Sequence, residues 1–193
     1  MTSATYGDAI AALASRLSED ALAHCERVAE TAAGLAVVYG ADEEVARLAG
    51  LLHDWDRETA EGELLESARR GALPVTEAEA SQPGLLHART GAEALAREFP
   101  GISDDVLSAV ARHTVGEAGM SDMDKIVYLA DMLEPGRSFE GVDDLREGVG
   151  TVSLDELFSL AYQHSVLYLV RERKRIHPDT VAVWNAHVAR ETR

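Results

Sequence analysis

Residues 42–54 read Asp-Glu-Glu-Val-Ala-Arg-Leu-Ala-Gly-Leu-Leu-His-Asp. Asp42 is a natural N-cap, and Val45, Leu48, Ala49 and Leu52 recur at three- and four-residue steps, so the spacing predicts a helix with one apolar face. That face runs directly into His53-Asp54. An adjacent imidazole and carboxylate can hold one metal ion while the second carboxylate oxygen reaches another. The segment therefore reads as a core helix that delivers a metal-binding doublet.

The same pattern extends in both directions. Ser18 caps a run with Ala21, Leu22, Cys25, Val28, Ala29, Ala32, Leu35 and Ala36 on one stripe, and Gly40 is placed to end it. A shorter helix over Glu61 to Arg70 stops near Gly71, and Gln82-Pro83-Gly84 reads as a turn before a helix from Leu85 to Phe99. Ser103 caps a helix leading to His113. Ser121-Asp122-Met123-Asp124 resembles a capping box that opens the run through Asp131, which Pro135-Gly136 breaks. Ser153-Leu154-Asp155-Glu156 is a second box, starting a long helix to about Arg173, and Pro178 opens a last one. Valine and isoleucine do not alternate with polar residues over a strand length, so the class is all-α.

Six side chains sit at the ends or edges of these apolar runs: His24, His53, Asp54, His87, His113 and Asp131. His113 follows Val110 and Val106 by three and seven residues, which points it along their buried face. His24 borders the stripe of its helix. Leu51-Leu52 and Leu85-Leu86 tie His53 and His87 to core anchors. Asp131 falls within Ile126 to Leu133, where a carboxylate without a partner is costly to bury and a cation removes the cost. Imidazole and carboxylate without thiolate suit two divalent ions, with iron or manganese preferred and cobalt or catalytic zinc allowed. Cys25, beside His24, reads as a small core residue.

Composition bounds the rest. At 193 residues the chain reads as one domain over 1–193, with a metal-site core at about 17–137 and C-terminal helices at 153–191 packed on it. A net charge of −16 excludes a surface that coats a nucleic-acid polymer, yet a few local cations and metal ions still permit a small phosphorylated substrate. No apolar run is long enough for a membrane span, and the N-terminus lacks the basic and apolar blocks of a secretory signal. With a single cysteine the expected compartment is the cytoplasm. A homodimer is compatible with the sequence, which does not fix the oligomeric state.

The ordered pattern His…His-Asp…His…His…Asp resembles the HD-domain metal-dependent phosphohydrolases. Six segments resemble one bacterial family among them, the symmetrical dinucleoside tetraphosphatases: 24–28 (HCERV), 49–54 (AGLLHD), 85–87 (LLH), 112–116 (RHTVG), 120–126 (MSDMDKI) and 130–137 (ADMLEPGR). The resemblance spans roughly Leu17 to Asn185. It implies a helical bundle, a two-iron centre, and cleavage of diadenosine tetraphosphate into two ADP by a metal-bridging hydroxide. It assigns His24, His53, Asp54 and Asp131 to one iron and Asp54, His87 and His113 to the other, with Asp54 bridging. The family carries a lysine three residues after this aspartate; here Arg57 stands there, keeping the charge but replacing a compact ammonium with a planar fork. Arg57 is thus a candidate for electrostatic stabilisation beside Asp54.

Four further residues are candidates for binding substrate. Thr114 and Gly116 follow His113, where a glycine would let backbone N–H groups approach phosphate; a plain helix-ending turn is the alternative. Lys125 lies six residues before Asp131, so it reaches the same mouth or else stays solvated. Arg137, just past the Pro135-Gly136 break, would hold a guanidinium over the pocket unless it pairs with Glu134 or Asp143. Trp55 and Tyr128 either stack on a base or pack in the core, while His164, His177 and His187 read as caps or packing residues. Competing functions are another phosphohydrolase acting on nucleoside triphosphates, guanosine polyphosphates or phosphodiesters, a di-iron oxygenase, and a non-enzymatic helical module that senses metal or nucleotide.

Overall fold

A computed structural model describes residues 6–191, with the side chains of 187–191 excepted; the chain ends and the His187 side chain lie outside the described residues. The described chain holds eleven α-helices and no strand. They are α1 (Tyr6–Ala14), α2 (Glu19–Tyr39), α3 (Glu43–Leu52), α4 (Glu61–Arg70), α5 (Glu77–Ser81), α6 (His87–Glu98), α7 (Asp104–Arg112), α8 (Asp122–Leu133), α9 (Val142–Gly148), α10 (Leu154–Arg171) and α11 (Pro178–Glu191). No described helix is long and apolar enough to cross a membrane.

The caps do what their residue types dictate. Ser18, Asp42, Ser103 and Ser121 each accept a hydrogen bond from a backbone N–H in the first turn, and Gly40 closes α2 at φ +76°, a conformation that costs glycine nothing. At Ser121 both halves of the box form, with aspartate in the usual glutamate's place. At Ser153 the hydroxyl accepts from Glu156 N–H. Two boundaries differ from the sequence reading. Pro83–Leu86 is one turn of 3₁₀ helix and α6 begins only at His87, because proline at the first position favours the tighter start. Helix α10 ends at Arg171, since Arg173 adopts φ +52°.

Helices α2, α3, α7 and α8 pack on one another around an apolar cluster that runs from Ala9 to Val183. Helix α6 lies on α7, and α10 lies on α8, where Phe158 and Tyr162 are fully buried. Gly50 sets the closest approach. A Cβ there would lie 2.9 Å from Val28 O and 3.0 Å from Ala29 Cα, so only a residue without a side chain lets α3 sit this near the backbone of α2. That contact brings the end of α3, with His53, against His24 in the second turn of α2.

Candidate metal centre

Five helices deliver the six candidate ligands to one place. His24 comes from α2, His53 and His113 follow the last turns of α3 and α7, His87 opens α6, and Asp131 lies on α8. Three of the four histidines are oriented in the same way. Nδ1–H of His53 donates to Gly50 O (2.8 Å), that of His113 to Val110 O (2.8 Å) and that of His87 to Gly84 O (2.6 Å), always three residues back. For His53 and His113 the acceptor is one of the carbonyls a helix end leaves without an intrahelical partner. His24 uses a side chain instead: its Nδ1 lies 3.1 Å from Glu134 Oε1, and Glu134 is held by Arg27 Nε and by Gly136 N–H, both at 2.6 Å.

With each Nδ1 occupied as a donor, each neutral ring turns the lone pair of Nε2 inward. His24 Nε2 lies 3.0 Å from Asp131 Oδ1, and His87 Nε2 lies 3.0 Å from Asp54 Oδ1. His113 Nε2 lies 3.5 Å from the same Asp54 oxygen and 3.1 Å from His87 Nε2. His53 Nε2 faces the other oxygen, Asp54 Oδ2, at 3.4 Å; it is fully buried and has no hydrogen-bond partner. Among the six ligands acceptor thus faces acceptor, an arrangement that repels itself unless cations lie between the groups; the donors that reach them from outside the set are the Thr114 hydroxyl and the Arg137 guanidinium. The donor set fits divalent metal, and the two Asp54 oxygens face different histidines, as a bridging carboxylate would.

The electrostatics agree. Burial alone would raise the Asp54 carboxyl, but the imidazoles of His53, His113 and His87 around it hold it far below the usual carboxylate range, and against burial Asp54 and Asp131 in turn draw a positive charge onto His53 where no cation lies between them. Asp131, also opposed by burial, is held low by His24, His53 and Arg137. Burial pushes His113 down, toward the neutral imidazole that a metal needs. Ligand atoms of His24, His53 and Asp131 lie within 4.8 Å of one another, as do those of His53, Asp54 and His113.

Two joined clefts open from the cluster. A smaller one, about 260 Å³, is lined by Asp54, Arg57, His87, His113 and Thr114; a larger one, about 510 Å³, by Phe139, His164, Tyr168, Lys174 and Arg175. They share Thr114, Tyr128, Asp131, Met132, Arg137 and Ser165. The larger cleft falls in the size range of small-ligand sites.

The structure separates the four candidate substrate contacts. Thr114 stands in both clefts, its hydroxyl 3.0 Å from His113 Nε2. Arg137 also lines both, but pairs with neither Glu134 nor Asp143 at close range. Its Nε donates to Asp131 O (2.8 Å) and its Nη2 bonds Asp131 Oδ1, while Arg146 takes Asp143 at 2.9 Å. Lys125 is elsewhere: it is buried, pairs with Asp155 at 2.6 Å and Asp122 at 3.3 Å, and lines neither cleft. Gly116 also stays outside. Its φ of +75° and the closeness of Val183 (3.2 Å) and Met120 (3.3 Å) to a would-be Cβ make it a packing glycine, and its N–H donates to Arg112 O. The 114–116 segment is therefore a helix-ending turn, pinned by Tyr162 Oη on Val115 O at 2.6 Å.

Arg57 lies at the mouth with Nε 4.0 Å from Asp54 Oδ2. Arg89 and Arg112 turn away to Glu79 and Asp124. Trp55 packs edge-on against Phe99 in the core, whereas Tyr128 is buried but borders both clefts. Cys25 is fully buried core. Glu134 and the Phe139–His164 ring pair, centroids 4.5 Å apart, were not anticipated as parts of the site. The signal for Glu134 was its place beside Pro135-Gly136 at the end of an apolar helix; His164 had none.

Comparison with known proteins places this geometry. The HD domain model matches residues 21–136. The symmetrical bis(5'-nucleosyl)-tetraphosphatase of Halalkalibacterium halodurans is 36% identical over 180 residues, 93% of this chain and 95% of that protein. The enzyme of the same name from Bacillus subtilis is 30% identical over 178 residues, 92% and 95%. A crystal structure from Clostridium acetobutylicum, described as an HD superfamily hydrolase involved in NAD metabolism, superposes with a TM-score of 0.90 at 30% identity, covering 98% of this chain and all of that one. The chain belongs to the HD-domain proteins and, among them, to the symmetrical bis(5'-nucleosyl)-tetraphosphatases.

Proposed function

We propose that the protein hydrolyses diadenosine tetraphosphate, and dinucleoside tetraphosphates like it, at the central P–O–P linkage to give two nucleoside diphosphates. The observation that carries the reading is the convergence of four Nε2 lone pairs and two carboxylates beside a cleft lined with cations. His24, His53, Asp54 and Asp131 would hold one ion and Asp54, His87 and His113 the other. Iron is the preferred metal, with manganese or cobalt as substitutes, because the donors are imidazole and carboxylate without thiolate. When bound, two such ions supply Lewis acidity and water of lowered pKa.

The chain's own residues do the rest. Arg57 and Arg137 present guanidinium groups to the phosphoryl oxygens, where charge rises as water adds to phosphorus and the bridging oxygen departs with ADP. Arg57 acts by charge alone, since a guanidinium does not give up its proton in this range. Thr114 offers a hydroxyl at the same mouth. The larger cleft seats one nucleoside diphosphate half, which fixes the central linkage at the metals and makes cleavage symmetrical. A continuous core from Ala9 to Val183 supports treating the chain as one domain, and a cytoplasmic setting suits both the substrate and a reduced, buried Cys25.

Anaerobic purification with metal analysis, followed by a nucleotide panel scored by product identity, tests the proposal. Two ADP per tetraphosphate is the expected outcome. Asp54→Ala should abolish metal loading and turnover together; full turnover with an empty site would refute it.

A further inference from the structure

The larger cleft has a wall that the metal centre does not use, the α10–α11 turn at residues 172–177, which carries Lys174 and Arg175. Charge singles it out. Of the described charged residues lining the two clefts, Arg57, Arg137, Lys174 and Arg175 are cations, and Asp54 and Asp131, both candidate metal ligands, are the only carboxylates. On a chain of net charge −16 that is a local reversal of sign. Among the described residues neither Lys174 nor Arg175 has a carboxylate within ion-pair distance; the Lys174 ammonium rests on Tyr168, 2.9 Å from its hydroxyl.

Backbone geometry points the same way. Lys174 N–H donates to Leu169 O (2.9 Å) and Arg173 N–H to Val170 O (3.2 Å), which is the Schellman closure of a helix, with Arg173 in the left-handed position that glycine normally fills. The other described non-glycine residue at positive φ is Ala72. Such strain persists where surrounding contacts impose it. Further along the same turn His177, 3% exposed, ties it to the rest of the fold. Asp179 N–H donates to its Nδ1 (3.1 Å), so Nε2 carries the proton and lies 3.1 Å from Thr76 Oγ1 and 3.7 Å from Glu79 Oε2. Glu79 is in turn bound by Arg89 at 2.8 Å. The turn is thereby pinned to α5, with its two cations facing the cleft.

We propose that Lys174 and Arg175 bind the nucleoside diphosphate half of the substrate seated in the larger cleft, and that His177 is the residue that positions them. The inference rests on the tetraphosphatase reading and adds where affinity for the anionic half arises. In metal-loaded enzyme, Lys174→Gln with Arg175→Gln should raise KM for diadenosine tetraphosphate about tenfold, with the loss confined to KM. It should weaken ADP binding in calorimetry by a similar factor and flatten the dependence of KM on salt. His177→Ala should raise KM likewise, and His177→Gln, which keeps an N–H donor, should recover part of it.

Unchanged KM and unchanged ADP affinity in the double variant would overturn the proposal, as would a loss confined to kcat. Wild-type protein that binds ADP but leaves the tetraphosphate intact defeats the hydrolase reading alone, and the binding comparison still decides this one. Wild-type protein that does not bind ADP defeats both.

Discussion

Placing a methyl group on Gly50 separates packing from helix propensity and links both to the metal centre. In a helix, Gly→Ala ordinarily stabilises by about 1 kcal/mol. At Gly50 the new Cβ would lie 2.9 Å from Val28 O and 3.0 Å from Ala29 Cα, both backbone atoms that no rotamer change can move. Restoring an ordinary contact requires α3 to back away from α2 by about 0.5 Å, and overpacking of this kind costs up to about 3 kcal/mol. The net loss is then about 2 kcal/mol, or roughly 4–8 °C in Tm for a chain of this size. The same shift separates His24 from His53, whose ring centroids lie 5.2 Å apart across that contact. A displacement of about 0.5 Å is the tolerance of a preorganised site, so metal affinity should fall with stability. Gly34→Ala on α2 is the internal control: nothing lies within 4 Å of its would-be Cβ, and it should be neutral or stabilising. Calorimetry and metal titration on both variants decide the matter. Gly50→Ala as stable as wild type, with undiminished metal binding, would refute the reasoning.

Three further outcomes follow from named contacts. Glu134→Gln turns one of the two carboxylate oxygens, Oε1 facing His24 and Oε2 accepting from Arg27 Nε and Gly136 N–H, into an amino group that cannot accept, and should lower metal affinity by roughly 10–100-fold, read by competition with a chelator. Arg173→Gly relieves the left-handed strain at the end of α10 and should raise stability by about 1 kcal/mol, with Tm up by about 2–4 °C. Glu79 is opposed by burial, but hydrogen bonds from Thr76 and the Arg89 guanidinium hold its carboxyl below the ordinary 4.5. The stability it contributes is therefore fully present above that value and is lost as pH falls through the folded-state value. Glu79→Gln should be less stable at neutral pH but show a flatter decline on acidification below about pH 4.5, measured by denaturant titration.

The helices that build the centre were legible because each carries a cap and a stripe long enough to show its period: Ser18 to Gly40, Asp42 to Leu52, Ser103 to His113. Helices α5 and α9 were not, since five and seven residues hold too few turns for periodicity to register. The Thr76–Glu79 capping box was the available signal for α5. The six ligands could be singled out because a histidine or aspartate at the edge of an apolar stripe must meet something polar. Lys125 illustrates the limit. Six residues at 3.6 per turn are about one and two-thirds turns, so Lys125 lies on a different face of α8 from Asp131, and the carboxylate that holds it, Asp155, lies thirty residues away on α10. Lys174 and Arg175 are invisible to such reasoning for the converse reason: their meaning depends on which wall the α10–α11 turn forms.

The Nδ1 bonds to carbonyls three residues back have a consequence for how the centre is assembled. Because His53, His87 and His113 are each oriented by their own helix or turn, their aim is settled as soon as that segment forms, before any ion arrives. The rotational freedom that free imidazoles would surrender on coordination has already been given up to the backbone. Loading becomes the filling of a finished socket rather than the gathering of loose arms, and exchanging one metal for another need not disturb the scaffold.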